Sequence, residues 1–415
     1  MRTAALACLT LALFAPASSA QLPDEDDVYI SVVAFEAIYR YDVETGQFTP
    51  FATGLQIPFY GEWFDGHLYI PERGAASIVK IDPAGNVTTL ASGVWTAPVT
   101  VAVGPDEKLY VSDIFANTIV KVDPDSGDVD LFVSNTSGLF DGAGGLGFDL
   151  DGVLYVSNFT ANDIIAVQPD GSVSVATDGG GLIGGPGGVQ IDGAGNLFVA
   201  NYNFGTITRT RLDTDETTVF CADPVLVSPN DVKLSNEGRL LTTTKVAALV
   251  EMDITGASTT IYQDTFYGEF DGIAIPADFP RCTGRQLRYG SGTTGLGGVV
   301  PSMRGLFSPC PGAQVGVEIE KARGGAPATL FWSLAPAAIP FKGGELLVAF
   351  GGPMGQVPLV LPGNGAGGGA LLLPVDLPND PVLAGASIFL QTLVGDPAAT
   401  GGVALSNGLE LRIGQ

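Results

Sequence analysis

Histidine and methionine are scarce in this 415-residue chain, which has one His and four Met. Helical periodicity is also nearly absent, whereas Gly (57 residues) and Pro (28 residues) are plentiful. A single histidine, His67, cannot supply the set of histidines that metal binding or proton transfer by several imidazoles requires. The composition predicts an all-β protein with many turns, and its length is sufficient for two domains with full cores.

Positive charge is scarce too, with 19 Lys and Arg against 44 Asp and Glu and a formal net charge of −25. The imbalance lies between Gln21 and Thr283, which hold 37 acidic and 11 basic residues, whereas Gly284 to Gln415 hold seven of each. Such a surface repels polyanions, so we expect neither nucleic acid nor an anionic membrane surface as a partner. It is typical of the solvated exterior of a secreted protein.

Long hydrophobic runs are restricted to the beginning of the chain. Arg2 is followed by an apolar run from Ala4 to Phe14 and by small residues up to Ala20. This pattern predicts a signal peptide over residues 1–20, with cleavage before Gln21. No later run is long enough to predict a membrane span. We therefore expect a protein that is secreted, extracellular or attached to the cell surface.

Cysteines are few, and those beyond the predicted leader are Cys221, Cys282 and Cys310. In an oxidising compartment an odd number leaves one cysteine unpaired or paired outside the chain. A Cys282–Cys310 bridge is favoured because it would staple the junction between two domains. A Cys221–Cys282 bridge is the alternative, since both residues follow repeat strands.

What is abundant is a repeat, whose clearest copy is LYVSDIFANTIVKVDPDSG from Leu109 to Gly127. It predicts an anchor strand, a polar corner, a second strand and a turn. The same frame returns at regular intervals, from Val28, Leu68, Leu154, Leu197 and Leu240. A spacing of about 40–45 residues is the size of one four-stranded blade of a β-propeller.

Each repeat also has a strand ahead of the anchor, which we call the inner strand. Inner strands are predicted to begin near Phe59, Val99, Gly144, Gly187, Asn230 and Asp271. The first anchor has no inner strand before it, and the last inner strand has no anchor after it. The sequence therefore predicts a six-bladed β-propeller over residues 21–283, in which the two ends share one blade. The last inner strand would then be innermost, with Val28 to Phe51 as the outer three strands.

The motif L-Y-V-S-D/N followed by I-x-K-x-D-P-x-x-G resembles the NHL repeat. The six-blade arrangement over about residues 28–276 is similar to the senescence-marker/gluconolactonase-like superfamily of β-propellers. This resemblance indicates the fold but does not single out a function, because the superfamily includes lactonases, lyases and propellers that only bind.

The gluconolactonase resemblance implies a divalent metal, calcium or another, at the mouth of the central channel, held by an Asn, an Asp and a Glu. Asn230 and Asp271 match two of these ligands, but the position of the glutamate falls near Val99, without a carboxylate. Glu62 and Asp141 are near in sequence and could substitute. Otherwise Asn230 and Asp271 cap the starts of strands by bonding local backbone.

This incomplete ligand set favours a non-enzymatic scaffold that binds a small molecule, a glycan or a protein. A metal-dependent lactonase-like hydrolase with a depleted metal site is the alternative.

The acidic stretch from Asp123 to Asp130 has the spacing of a calcium loop, since alternate carboxylates can converge on one ion. The same place in other repeats holds Asp42-Val-Glu-Thr-Gly, Asp82-Pro-Ala-Gly and Asp253-Ile-Thr-Gly. These are ordinary hairpin turns, so we favour a turn here as well.

Residues 284–415 lack the repeat and are predicted to form a C-terminal β-sandwich. The expected strands are Val315–Glu320, Ala328–Leu334, Leu346–Phe350, Ala370–Val375, Ser387–Leu393 and Leu409–Ile413. The stretches from Arg323 to Phe350 and from Pro378 to Pro397 resemble a C-terminal module of secreted bacterial proteins. That resemblance implies attachment at, or export to, the cell surface; a spacer domain is the equal alternative.

Overall fold

The structure, a computed structural model, describes residues 27–235, 237–276 and 282–414. The signal peptide predicted for residues 1–20 lies outside these residues. The described chain confirms the all-β prediction, because its only helical segments are three-residue 3₁₀ turns. These turns are Val33–Phe35, Asn135–Ser137, Gly179–Gly181, Thr265–Tyr267, Leu296–Gly298, Pro381–Leu383 and Thr400–Gly402.

The strands of the repeat half form six four-stranded antiparallel sheets within the described residues. Sheet 1 contains β1 (Val28–Val32), β2 (Ala37–Asp42) and β3 (Gln47–Thr53), with β24 (Ile273–Ala274) as its innermost strand. Sheet 2 contains β4 (Glu62–Phe64), β5 (His67–Glu72), β6 (Ser77–Ile81) and β7 (Val87–Ser92). Sheet 3 contains β8 (Pro98–Val103), β9 (Leu109–Asp113), β10 (Thr118–Val122) and β11 (Val129–Val133). Sheet 4 contains β12 (Ala143–Phe148), β13 (Leu154–Asn158), β14 (Asp163–Val167) and β15 (Val173–Thr177). Sheet 5 contains β16 (Pro186–Ile191), β17 (Asn196–Asn201), β18 (Thr206–Arg211) and β19 (Glu216–Cys221). Sheet 6 contains β20 (Pro229–Leu234), β21 (Leu240–Thr244), β22 (Ala248–Met252) and β23 (Ser258–Gln263).

The six sheets form a closed ring, because each inner strand contacts the inner strand of the next sheet and β20 contacts β24, which contacts β4. Closure depends on β24, where Ile273 pairs with Ile30 and Ala274 with Tyr29 of β1. This is the shared sheet that the sequence predicts. A closed ring leaves no free edge on its innermost strands.

The anchor strands are buried on both faces because every sheet packs between two neighbours. In β9, Leu109 and Val111 join the core cluster shared with sheet 2, whereas Tyr110 joins the cluster shared with sheet 4. This alternation follows from the two-residue period of a strand. The apolar repeat therefore supplies a core on each side of every sheet.

One inner strand differs from its prediction. FYGEWF was expected to begin a strand near Phe59, but β4 begins at Glu62. Tyr60 instead bridges in parallel to Thr100 of the next sheet, donating its N–H to Val99 and accepting from the N–H of Val101. The segment ahead of β4 is thus tied to sheet 3 as well as to its own sheet, where the N–H of Phe59 donates to the backbone oxygen of Pro71 in β5 at 3.1 Å.

The C-terminal part contains ten strands in the described residues. They are β25 (Arg285–Tyr289), β26 (Ser302–Leu306), β27 (Gln314–Gly324), β28 (Pro327–Ser333), β29 (Pro336–Phe341), β30 (Gly344–Val348), β31 (Met354–Val360), β32 (Gly365–Asp376), β33 (Ser387–Gly395) and β34 (Val403–Arg412). One sheet has the order β25-β34-β33-β28-β31, a second has the order β26-β27-β32, and β29 pairs with β30. A common core cluster takes residues such as Val317 from the second sheet and Leu390 and Leu409 from the first.

Four of these strands were not predicted from the sequence, namely β25, β26, β29 and β31. β29 and β31 contain prolines and are mostly exposed, so neither shows a clean alternation of apolar and polar residues. β25 has the sequence RQLRY, in which the charged residues obscure the alternation of apolar and polar positions. A strand that forms mainly through pairing with its neighbours, without an alternating pattern of its own, is difficult to predict from the sequence.

The C-terminal part packs directly against the ring. Phe307 is fully buried in a cluster with Phe198 of β17, and its ring lies 5.7 Å from that of Phe198. The backbone N–H of Phe307 donates to the buried carboxylate of Asp192 at 2.8 Å. The two parts therefore share a hydrophobic core.

Candidate functional site at the channel mouth

A cavity of about 610 Å³ opens at the end of the ring where the anchor strands finish; we call it the mouth. Asn230 and Asp271, the two predicted metal ligands, both line it. Asp141 lines it as well. The structure therefore brings three of the residues singled out in the sequence to one place.

One position of the repeat supplies much of the wall of the mouth. It is the first corner residue, directly after the anchor strand, and it lines the mouth in five of the six sheets, as Arg73, Ile114, Phe159, Tyr202 and Lys245. This position carries a different side chain in each sheet. This position was not predicted as a site from the sequence, although its side chain varies among repeats whose neighbouring residues are similar.

The corner itself is held rigidly by the last residue of the anchor strand, which is Asp or Asn in three sheets. Asp113, 1% exposed, accepts from the backbone N–H groups of Thr96 and Phe115. Asn158 has the same place in sheet 4, where it accepts from the N–H of Asp141 and donates to Asp163. The Asp or Asn at the end of the L-Y-V-S-D/N motif therefore fixes the position of the residues that form the wall of the mouth.

The corner is also tied to the next sheet by an asparagine in the left-handed backbone region. Asn117 has a φ of 54° and accepts through Oδ1 from the N–H groups of Gly142 and Ala143. Asn162 has a φ of 61° and accepts from the N–H of Gly185. Asn tolerates this conformation better than most residues with a side chain.

Asn230 is 5% exposed, and its Nδ2 donates to the backbone oxygen of Phe270 at 2.8 Å. This bond reaches backbone 40 residues away and is therefore not the local strand cap that was the alternative expectation. It leaves the Oδ1 atom of Asn230 as the group that can face a ligand. The next residue, Asp231, has a structural role, because its Oδ2 accepts from the N–H of Ile273 at 2.9 Å and so ties sheet 6 to the closing strand.

Asp271 is 6% exposed, and its Oδ2 atom is buried without a hydrogen-bond partner in the described structure. Burial, and after it the charge of Glu269, raises the pKa of Asp271 to about 7. Near neutral pH a substantial share of this carboxyl is therefore protonated and can donate a hydrogen bond. An unsatisfied buried oxygen on the wall of a cavity is a group available to a ligand.

The two carboxylates considered as replacement metal ligands have different positions. Glu62 lies toward the opposite end of the channel, where its Oε2 accepts from Lys233 at 2.9 Å. Asp141 is at the mouth but exposed. Within the described residues no group of three or more His, Cys, Asp or Glu side chains could hold a metal ion. The mouth thus offers Asn230 and Asp271 as donors without a complete ligand set.

The acidic stretch from Asp123 to Asp130 forms a turn at the other end of sheet 3. The Oδ1 atom of Asp123 accepts from the N–H groups of Asp125 and Ser126, each at 2.9 Å. Its Oδ2 accepts from Lys108 at 2.6 Å. Its two oxygens therefore hold the turn and an ion pair, as the hairpin interpretation expects.

Arg73 stands on one side of the mouth between two phenyl rings. Its guanidinium carbon lies 5.5 Å from the ring centre of Phe59 and 4.9 Å from that of Phe115. On another side, Lys245 lies 5.1 Å from the ring centre of Tyr202 and pairs with Glu269 at 3.3 Å. Both of these cations therefore lie over aromatic rings at the wall of the mouth.

The opposite end of the channel meets the C-terminal part. Cys282 and Cys310 are joined by a disulfide, with their Cα atoms 6.0 Å apart, and Ser308 lies beside them. All three border a small cavity of about 120 Å³ that also contacts Glu62 and Lys233. Cys221 is buried and not in a disulfide, so the alternative pairing with Cys282 is absent from the structure. No helix in the part of the chain that the structure describes is long and apolar enough to cross a membrane.

No protein-family model matches this chain, and no curated protein matches it. Among solved structures, a chain of the nidogen/laminin complex is similar with a TM-score of 0.53 and 15% identity, covering 60% of this chain and 97% of that one. A streptogramin B lyase has a TM-score of 0.41 and 12% identity, with 87% and 96% coverage. Regucalcin, a calcium-binding protein from Agrobacterium tumefaciens, has a TM-score of 0.41 and 18% identity, with 51% and 75% coverage. The ring of four-stranded sheets and the nidogen/laminin likeness together show that this chain has a β-propeller fold.

Proposed function

We propose that this chain is a secreted, non-enzymatic binding protein whose six-bladed β-propeller takes its ligand at the mouth. In this proposal each of the six sheets is one blade. The two larger C-terminal sheets form a β-sandwich over residues 284–415 that covers the other end of the channel. The expected ligand is a small molecule or a glycan, with a protein as a further class of partner.

The observation that carries the proposal is the first corner residue of the repeat. The backbone beside this residue is fixed by hydrogen bonds to buried side chains such as Asp113. The residue itself differs among the sheets that line the cavity. Variable side chains on a rigid frame are the usual design of a binding site. The likeness to a propeller from a protein complex, nidogen/laminin, is consistent with a binding role.

A screen of the purified protein against glycans and small molecules, read by thermal shift, tests this proposal with two matched variants. Phe115 at the mouth is 65% exposed, and Leu131 on the outer strand β11 is 64% exposed. We expect Phe115→Ala to weaken binding of the ligands that the screen finds and Leu131→Ala to leave it unchanged. Ligands that bind both variants as tightly as the unmodified protein would move the site away from the mouth.

The second candidate function is a metal-dependent lactonase-like hydrolase, and it rests on Asn230 and on the unpartnered Oδ2 of Asp271. A bound divalent metal would polarise water or a lactone carbonyl. The described donors at the mouth fall short of a full ligand set, so this function would require further oxygen ligands from backbone, water or substrate. Elemental analysis together with a lactone assay decides between the two functions. Metal-dependent turnover that Asp271→Ala abolishes would replace the binding proposal.

A further inference from the structure

Arg73 is exceptional among the cations of the propeller. Within residues 27–235 and 237–276, every other Lys or Arg except Lys80 forms an ion pair with a carboxylate. Lys80 donates to the backbone oxygen of Pro124 at 3.3 Å. The guanidinium of Arg73 has no hydrogen-bonded or ion-paired partner among the described residues, although this region is strongly acidic. An unpaired guanidinium in such surroundings points to a partner that is not part of the chain.

The position of Arg73 makes its donors available. Phe59 and Phe115 lie within cation–π distance of the guanidinium and hold it at the wall of the mouth. Stacking of a guanidinium on aromatic rings leaves its N–H groups, which lie in the plane, free for an acceptor. A carboxylate matches this planar fork, because its two oxygens accept two parallel hydrogen bonds.

The remainder of the mouth favours a polyhydroxylated body on that carboxylate. The unpartnered Oδ2 of Asp271 and the Oδ1 of Asn230 can each bond a hydroxyl group. Phe159 and Tyr202, whose ring centres are 6.0 Å apart, provide apolar faces beside them. The cavity of about 610 Å³ is large enough for one or two sugar rings.

We propose that the mouth binds an acidic sugar, a hexuronic acid free or at the end of a glycan, with its carboxylate on Arg73. This inference rests on the proposed function and specifies its ligand class. The acidity of the domain opposes approach of an anion over long range, but at physiological salt this field is screened beyond about 8 Å. A direct contact with Arg73 lies inside that distance.

Isothermal titration of the full chain at pH 7 and 0.15 M salt tests the proposal, with glucuronic and galacturonic acid against glucose and galactose. At least one acid should bind about tenfold or more tightly than its neutral parent, as expected for a charge-assisted bidentate contact. Arg73→Ala should remove that advantage, so that the acid and its neutral parent bind this variant with about the same affinity. Arg73→Gln, which keeps a planar group between the rings, should also remove it and guards against a folding effect. Lys80→Ala, at the other cation without a carboxylate, should leave the advantage intact.

Equal affinity for acid and neutral sugar, or an acid preference that survives both Arg73 variants, overturns the inference while leaving a binding propeller in place. Absence of binding by all four sugars also overturns it. The proposed function then stands or falls on whether the broader screen finds a ligand sensitive to Phe115→Ala.

Discussion

Arg209 of β18 donates to both carboxylate oxygens of Glu318 in β27, at 2.6 and 2.8 Å. The side chains of Arg209 and Glu318 are only 8% and 12% exposed. The pair therefore lies inside the contact between the propeller and the C-terminal part. Arg211 adds a second guanidinium to the same carboxylate at 3.1 Å. Two cations on one buried carboxylate make this contact depend on the charge of Glu318.

The pH dependence of stability follows from the pKa of Glu318. Burial opposes the charged form, but the hydrogen bonds and charges of Arg209 and Arg211 outweigh it and lower the pKa of Glu318 below its ordinary value. A lowered folded-state pKa contributes stability above the unfolded-state pKa, near 4, and loses it as the pH falls further. Glu318→Gln should therefore cost about 3–5 kcal/mol at pH 7 by leaving the buried guanidinium of Arg209 without its carboxylate partner.

Thermal unfolding of this variant and the unmodified protein between pH 7 and pH 3 measures the effect. The gap between the two Tm values should narrow as the pH falls below about 4. Glu216→Gln is the matched control, because Glu216 also pairs with Arg211 but is 56% exposed. A gap that stays constant over the whole range would contradict the assignment.

Phe307 provides a second test of the shared core. It is fully buried in the same cluster as Phe198 and Phe220 of the propeller. Phe307→Ala should destabilise the protein by about 3–5 kcal/mol because it removes a large buried ring. Scanning calorimetry should show a single transition in both proteins, shifted down in the variant. Phe350→Ala, at a position that is 42% exposed, is the control and should change little. Two separate transitions in the unmodified protein would mean that the two parts unfold independently.

Features that recur in every repeat were predicted from the sequence, whereas contacts that occur only once in the molecule were not. The anchor strands and the closing pair of Ile30 with Ile273 follow from patterns that recur or from the phase of the repeat. Contacts such as that of Arg209 with Glu318 join residues far apart in the chain and have no periodic signal. For that reason the packing of the C-terminal part against the ring was not predicted from the sequence.

The residues of the candidate site likewise fall into those that were predicted from the sequence and those that were not. Asn230 and Asp271 were found because a family resemblance named their positions, and the structure places both at the mouth. Arg73 and Phe115 were missed because they are the residues at which a repeat departs from its consensus. Comparison of the corners with one another, rather than with the consensus, is the signal that locates them.

The cysteines predict a simple titration of thiols in the protein that lacks residues 1–20. Cys282 and Cys310 are bonded, and Cys221 is buried at 5% exposure. A thiol reagent should find no reactive group in the native protein, one in denaturant, and three in denaturant after reduction. Cys221→Ser should abolish the single thiol seen without reductant. A signal of three thiols before reduction would show that the disulfide does not form.

Ser112 tests how neighbouring sheets hold together. Its hydroxyl is fully buried, donates to the backbone oxygen of Gly144 in sheet 4 at 2.6 Å, and accepts from the N–H of Thr100 at 3.2 Å. Ser112→Ala leaves both backbone groups with one partner fewer, so it should lower the free energy of unfolding by about 1–3 kcal/mol. Ser126→Ala, in an exposed turn, is the control and should cost less than about 0.5 kcal/mol.

A similar bond forms at Ser31 of β1, whose hydroxyl donates to the backbone oxygen of Phe59, in the segment ahead of β4, at 2.6 Å. The two serines belong to different pairs of sheets and share no partner, so the costs of Ser31→Ala and Ser112→Ala should add within about 0.5 kcal/mol. Urea unfolding of the single and double variants measures this. A double variant destabilised by much more than the sum of the two single costs would show that loss of one serine bond weakens the contact between sheets at the other. Additivity would instead show that each pair of sheets is held by its own local bonds.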